Sequence, residues 1–95
     1  MIESGGIVTE AVAGEVTITI NAAQTVSAVV LRVNGTYRSV PSGWTLAELL
    51  ASLELDARTV VVERNGSILR DRSSFASLDL AADDSLEIVH FVGGG

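Results

Sequence analysis

AVVLRVNGTYRSV, residues 28–40, is two β-rich runs joined by Asn34-Gly35, and Asn-Gly between such runs is the strongest short-range signal for a tight hairpin. It predicts a first strand near 28–33 and a second near 36–40. Pro41-Ser42-Gly43 supplies the turn chemistry that ends the pair.

Immediately downstream, Thr45-Leu46-Ala47-Glu48 has the spacing of a capping box, in which the Thr hydroxyl and the Glu carboxylate each satisfy a free backbone N–H at a helix start. Trp44 before the cap and Leu49 beyond it have the spacing of a hydrophobic staple. Leu46, Leu49, Leu50 and Leu53 recur at i, i+3, i+4 and i+7, one buried stripe of a helix over about 46–53. Thr59-Val60-Val61-Val62-Glu63-Arg64 is β-branched, Asn65-Gly66 repeats the tight turn, and Ser67-Ile68-Leu69 reads as a short return strand. Residues 71–84 are polar with spaced Phe75, Leu78 and Leu80, a loop with a short helical turn. Asp83-Asp84 opens a last strand over 85–91. Its alternation puts Leu86 and Ile88 on one face and Glu87, Val89 and Phe91 on the other.

The element order is ββαβββ. The fold class is therefore α+β: a mixed sheet of four to five strands packed on one main helix, with the first and last strands parallel at its centre. Residues 1–26 stand apart. They carry Gly5, Gly6 and Gly14 and no basic residue, and read as an N-terminal extension, either a flexible leader or an added edge strand. Val16, Ile18 and Ile20 alternate with polar residues as a half-buried strand does. The domain proper is expected over 27–92, with 93–95 a flexible glycine tail.

Composition narrows the chemistry. With 95 residues the chain holds one small domain. Hydrophobic residues make up 47% but only one Trp, one Tyr and two Phe are among them, so the core is aliphatic. There is no cysteine and one His, which removes thiolate catalysis and thiolate metal sites, and His90 cannot build a zinc site alone. A net charge of −6 repels phosphate backbones and anionic membranes, so neither nucleic acid nor membrane is expected as a partner. The N-terminus lacks the basic and apolar regions of a secretory signal, and no stretch approaches the roughly 20 apolar residues of a membrane span. The expectation is a cytoplasmic protein. All six basic residues are Arg, so a tag of this sequence could not form chains through its own lysines.

No catalytic residue emerges. A Ser or Thr nucleophile would need His90 as its base, close to a free end. Asp83 and Asp84, adjacent at a strand start, should point apart and hydrate the turn. Gly93-Gly94-Gly95 has no helix after it, as a phosphate-binding loop needs.

The chain end is the exception, because at an average glycine frequency of roughly 7% a chance Gly-Gly terminus is rare, and this one continues a predicted central strand. Without Cβ, glycine lies extended in a channel too narrow for other residues. A carboxylate there becomes an acyl donor once ATP converts it to an acyl-adenylate, and sulfur attack then gives a thiocarboxylate. That chemistry suits a carrier with no cysteine.

The residues LRVNG (31–35), TLAELL (45–50), VVVERNGSILR (60–70), LEIVHFV (86–92) and the terminal GGG resemble, in order and spacing, the ThiS family of sulfur carriers in thiamine biosynthesis. The resemblance covers about residues 29–95 and implies the ubiquitin-like β-grasp fold. It further implies that the chain is no enzyme and binds no cofactor itself. An E1-like adenylyltransferase (ThiF type) would use ATP to adenylate Gly95, a persulfide donor would supply sulfur, and a thiazole synthase (ThiG type) would receive it. Gly95 would then bear the adenylate and thiocarboxylate, and Gly93 and Gly94 would give reach. Independently of the resemblance, strand alternation sets Val89 and Phe91 beside the tail, opposite Leu86 and Ile88, as an apolar docking patch unless the N-terminal extension buries them. Three other readings stand beside this one: the small subunit of molybdopterin synthase, a protein modifier joined through Gly95, and a ubiquitin-like binding module without tail chemistry.

Overall fold

The computed structural model describes residues 7–12, 15–21 and 24–91. Among these residues seven strands and one α-helix follow in the order β1 (Ile7–Val12), β2 (Glu15–Asn21), β3 (Gln24–Val33), β4 (Thr36–Pro41), α1 (Leu46–Ser52), β5 (Val60–Arg64), β6 (Ser67–Ile68) and β7 (Ser85–His90). Short 3-10 turns occupy Ala57–Thr59 and Arg72–Ser77.

The expected hairpin is β3–β4, with Val33 opposite Thr36 and Leu31 opposite Arg38. Asn34 and Gly35 take φ of 52° and 83°, the left-handed pair that a two-residue turn of this kind demands. β4 continues through Pro41, one residue beyond the expected end. Among the described residues it pairs only with β3, and an edge strand tolerates a residue that cannot donate.

Five strands lie in the order β4-β3-β7-β5-β6, with β3 and β7 parallel at the centre and β5 antiparallel to β7. This is the β-grasp sheet. The helix covers one face of it, burying Leu46, Leu49 and Leu50 against Val29, Leu31, Val33, Val60, Val62, Leu86 and Ile88. Each fully buried aliphatic side chain stabilises the fold by about 1.5–3 kcal/mol. The capping box is complete: Thr45 N donates to Glu48 Oε1 at 2.8 Å and Glu48 N to Thr45 Oγ1 at 3.3 Å. Leu53 is the C-cap rather than the last helical residue, and with Trp44 it packs half-buried at the margin of the core.

The sheet is larger than five strands. β2 pairs antiparallel with β3 and β1 with β2, which starts β3 at Gln24 instead of near 28. Along β3, β2 occupies residues 24–29 and β7 residues 32–33, while β4 runs along residues 28–33. β2 and β7 therefore share one flank of β3 end to end, and the N-terminal hairpin projects from the opposite end of β3 to the one β7 runs past. The molecule is drawn out accordingly, 54 × 24 × 23 Å.

Candidate functional site

The candidate site is the end of β7. Strand alternation turns Leu86 and Ile88 into the core, so the intervening residues must face out, and Val89 is 61% exposed. Phe91, just past the strand, is 44% exposed. Burial of these two side chains under the N-terminal extension does not occur, because the added hairpin lies at the other end of β3. The expected carrier residues Gly93, Gly94 and Gly95 lie outside the described residues.

Val89 and Phe91 do not stand alone. Val61 sits opposite Val89 and Glu63 opposite Glu87, and with Ile68 these residues line a shallow groove of about 180 Å³ on the helix-free face. Glu63 opposite Glu87 is a like-charge cross-strand pair, an arrangement that weakens a sheet. Further along this face Arg32 lies over the Tyr37 ring at 5.7 Å.

Both Asn-Gly turns hold β7 in place. At its start, Ser85 N donates to Asn65 Oδ1 at 2.8 Å, and Asn65 N donates to Ser85 O at 2.8 Å. In its second half, Ile88 N donates to Asn34 Oδ1 at 2.7 Å while Asn34 Nδ2 donates to Ile88 O at 3.2 Å. From sequence, the two Asn were only turn residues. Their left-handed conformation is what turns each carboxamide toward a strand distant in the chain.

Asp84 corrects the reading of the adjacent acids. Asp83 is exposed at φ 69°, but Asp84 is only 5% exposed. Rather than hydrating the turn, it accepts from Arg64 Nη2 at 2.8 Å and Nε at 3.1 Å, from Asn65 Nδ2 at 3.0 Å and from Ala81 N at 2.8 Å. Burial pushes this carboxyl up, but the hydrogen bonds from Ala81, Asn65 and Arg64, with the Arg64 charge, together hold it below the usual carboxylate range. The cluster fixes the start of β7. Its acceptor sites are filled from within the fold, which leaves no vacancy for a substrate.

Among the described residues no group of three or more His, Cys, Asp or Glu could hold a metal ion. His90 is exposed on β7. None of the described helices is long and apolar enough to cross a membrane.

Comparison with known proteins agrees with this geometry. The model of the ThiS family matches residues 31–95. The sulfur carrier protein ThiS of Bacillus subtilis (strain 168) is 45% identical over 51 residues, which cover 54% of this chain and 76% of that one. A thiazole synthase of Paramagnetospirillum magneticum is 43% identical over 65 residues, 68% of this chain, and one of Magnetococcus marinus is 37% identical over the same share. This chain spans only 20% of the length of those two relatives. A crystal structure of the thiamine biosynthesis protein ThiS from Geobacter metallireducens superposes with a TM-score of 0.60 at 34% identity, covering 70% of this chain and 100% of that one. With a β-grasp sheet and a family match over most of its length, the chain belongs to the ThiS family.

Proposed function

We propose that this chain is a cytoplasmic sulfur carrier for the thiazole moiety of thiamine, and that Gly95 is a substrate of other enzymes. The observation that carries the proposal is the junction. β7 is a central strand, paired with β3 at its start and with β5 through His90, and only Val92 separates Phe91 from the glycines. A rigid body thus presents a tail of about 13–14 Å from Phe91 to the terminal residue when extended.

In the reaction proposed, a Gly95 carboxylate oxygen attacks the α-phosphorus of ATP on an E1-like adenylyltransferase (ThiF type), and pyrophosphate leaves. The terminal sulfur of a persulfide donor displaces AMP from the acyl carbon, and a thiol cleaves the resulting S–S bond to leave the thiocarboxylate. A thiazole synthase (ThiG type) then takes the sulfur. The chain's own work is to present the tail and to dock. Val89, Phe91, Val61 and Ile68 offer apolar area, and the Glu63–Glu87 pair favours a partner with a cationic side chain at that point.

Incubation with adenylyltransferase, ATP and a persulfide donor is expected to change the mass by one oxygen-for-sulfur exchange at the C-terminal peptide. Deletion of Gly94 and Gly95 should abolish that change while leaving the melting transition where it was. An unchanged mass in the intact chain would sink the proposal. Val89→Arg should raise the KM for the carrier at least tenfold, a loss in the range of an interface hot spot, with little change in kcat.

A further inference from the structure

We infer that Asn34 is a positioning residue for the C-terminal tail, acting as one extra residue of β3 that holds the exit of β7. The inference rests on the reading that partner enzymes act on the tail.

The parallel ladder between β3 and β7 is short. It pairs Arg32 with Ser85 and Val33 with Leu86, and bonds from Asp83 N to Val30 O at 2.9 Å, Arg32 N to Asp84 O at 2.8 Å and Asn34 N to Leu86 O at 2.8 Å flank it. At Asn34 the backbone turns away into the hairpin with φ of 52°. Ile88, next along β7, would then present a buried N–H and C=O to a flank that has lost its strand. The Asn34 carboxamide takes both. A carboxamide carries one acceptor oxygen and an NH₂ donor in a plane, the same pair that a strand residue offers. Beyond Ile88, among the described residues, β7 is held from β5 alone, with Val60 opposite His90 and Phe91 N donating to Thr59 O at 3.0 Å.

Asn34 therefore sets where two-sided support of the strand ends. Without its side chain that limit retreats to Leu86, and the segment held from one side begins two residues earlier. A longer, less directed segment costs more entropy to order in a narrow channel. The cost falls on binding and not on the chemical step, so KM and kcat should separate.

The test uses Asn34→Gly, which accepts the left-handed backbone without strain and removes only the carboxamide, and Asn34→Asp, which keeps the acceptor for Ile88 N but replaces the donor with an oxygen against Ile88 O. Asn65→Gly is the matched control, since Asn65 holds the start of the same strand, away from the tail. Hydrogen exchange at the Ile88 amide should accelerate about five- to tenfold in Asn34→Gly, the equivalent of losing about one net hydrogen bond, and by less in Asn34→Asp, which keeps the acceptor. In ATP–pyrophosphate exchange with the adenylyltransferase, the KM for either variant as carrier should rise by a similar factor at unchanged kcat, and Asn65→Gly should keep the wild-type KM despite lower stability. A wild-type KM in both Asn34 variants, or an equal rise in Asn65→Gly, overturns the inference. If the wild-type chain is itself never adenylated, the carrier reading fails instead, and unchanged exchange at Ile88 would still overturn the clamp.

Discussion

Asp84 is a carboxylate in a place where burial works against its charge and four hydrogen bonds restore it. Its folded pKa lies below the ordinary value, so the stabilisation is complete above the ordinary carboxylate range and is lost as pH falls through it toward the lowered folded value. Urea unfolding between pH 7 and pH 2 should show that loss, and Asp84→Ala should flatten it. At neutral pH the same substitution leaves Arg64, Asn65 and the Ala81 N–H without their partner, and about 3 kcal/mol of destabilisation is expected. Asp56 provides a contrast. Its pKa is lowered to about 2, chiefly by the Arg58 side-chain hydrogen bond, but this is an exposed pair, screened by salt and of little consequence for stability. Of the acidic pair at 83–84, only the divergence of the two side chains was legible in the sequence. The burial of Asp84 depends on Arg64 and Asn65, brought in from about twenty residues upstream by the antiparallel pairing of β5 with β7, and no local pattern announces that.

Elements whose signals are local came through almost intact. The Thr45–Glu48 box, the leucine stripe and both Asn-Gly turns are read from a few adjacent residues, and the chain forms each where expected. A seven-residue helix has no independent stability in water and stands by its cap and its buried face. Thr45→Ala should therefore cost about 1 kcal/mol, and Leu49→Ala, at a fully buried position, about 2–5 kcal/mol, both measurable as shifts in the denaturant midpoint. Elements defined by pairing were less legible. β3 begins four residues earlier than its own apolar run suggests because β2 supplies partners for its first half. The Asn34 bond to Ile88 spans 54 residues and is invisible to any reading by neighbours.

At the scale of the molecule, the central parallel pair and the helix-covered face followed from the element order. The two N-terminal strands were only half foreseen: alternation marked one of them, and nothing marked where the pair would attach. Because β2 and β7 occupy different lengths of one β3 flank, removal of residues 1–23 is expected to leave a cooperatively folding five-strand domain. Its exchange protection in β5 and β7 should match that of the full chain, and its KM as a carrier should be unchanged. The placement of the two asparagines also bears on how such a molecule ages. Asn-Gly pairs decay when the glycine nitrogen attacks the carboxamide carbon and expels ammonia through a succinimide, leaving aspartate or isoaspartate. Asn34 is followed by Gly35, yet its carboxamide is tied on both sides to Ile88, which restrains the group that the glycine nitrogen would have to attack. A chain that does decay at this point places a negative charge against the Ile88 carbonyl, the same change that Asn34→Asp makes by substitution.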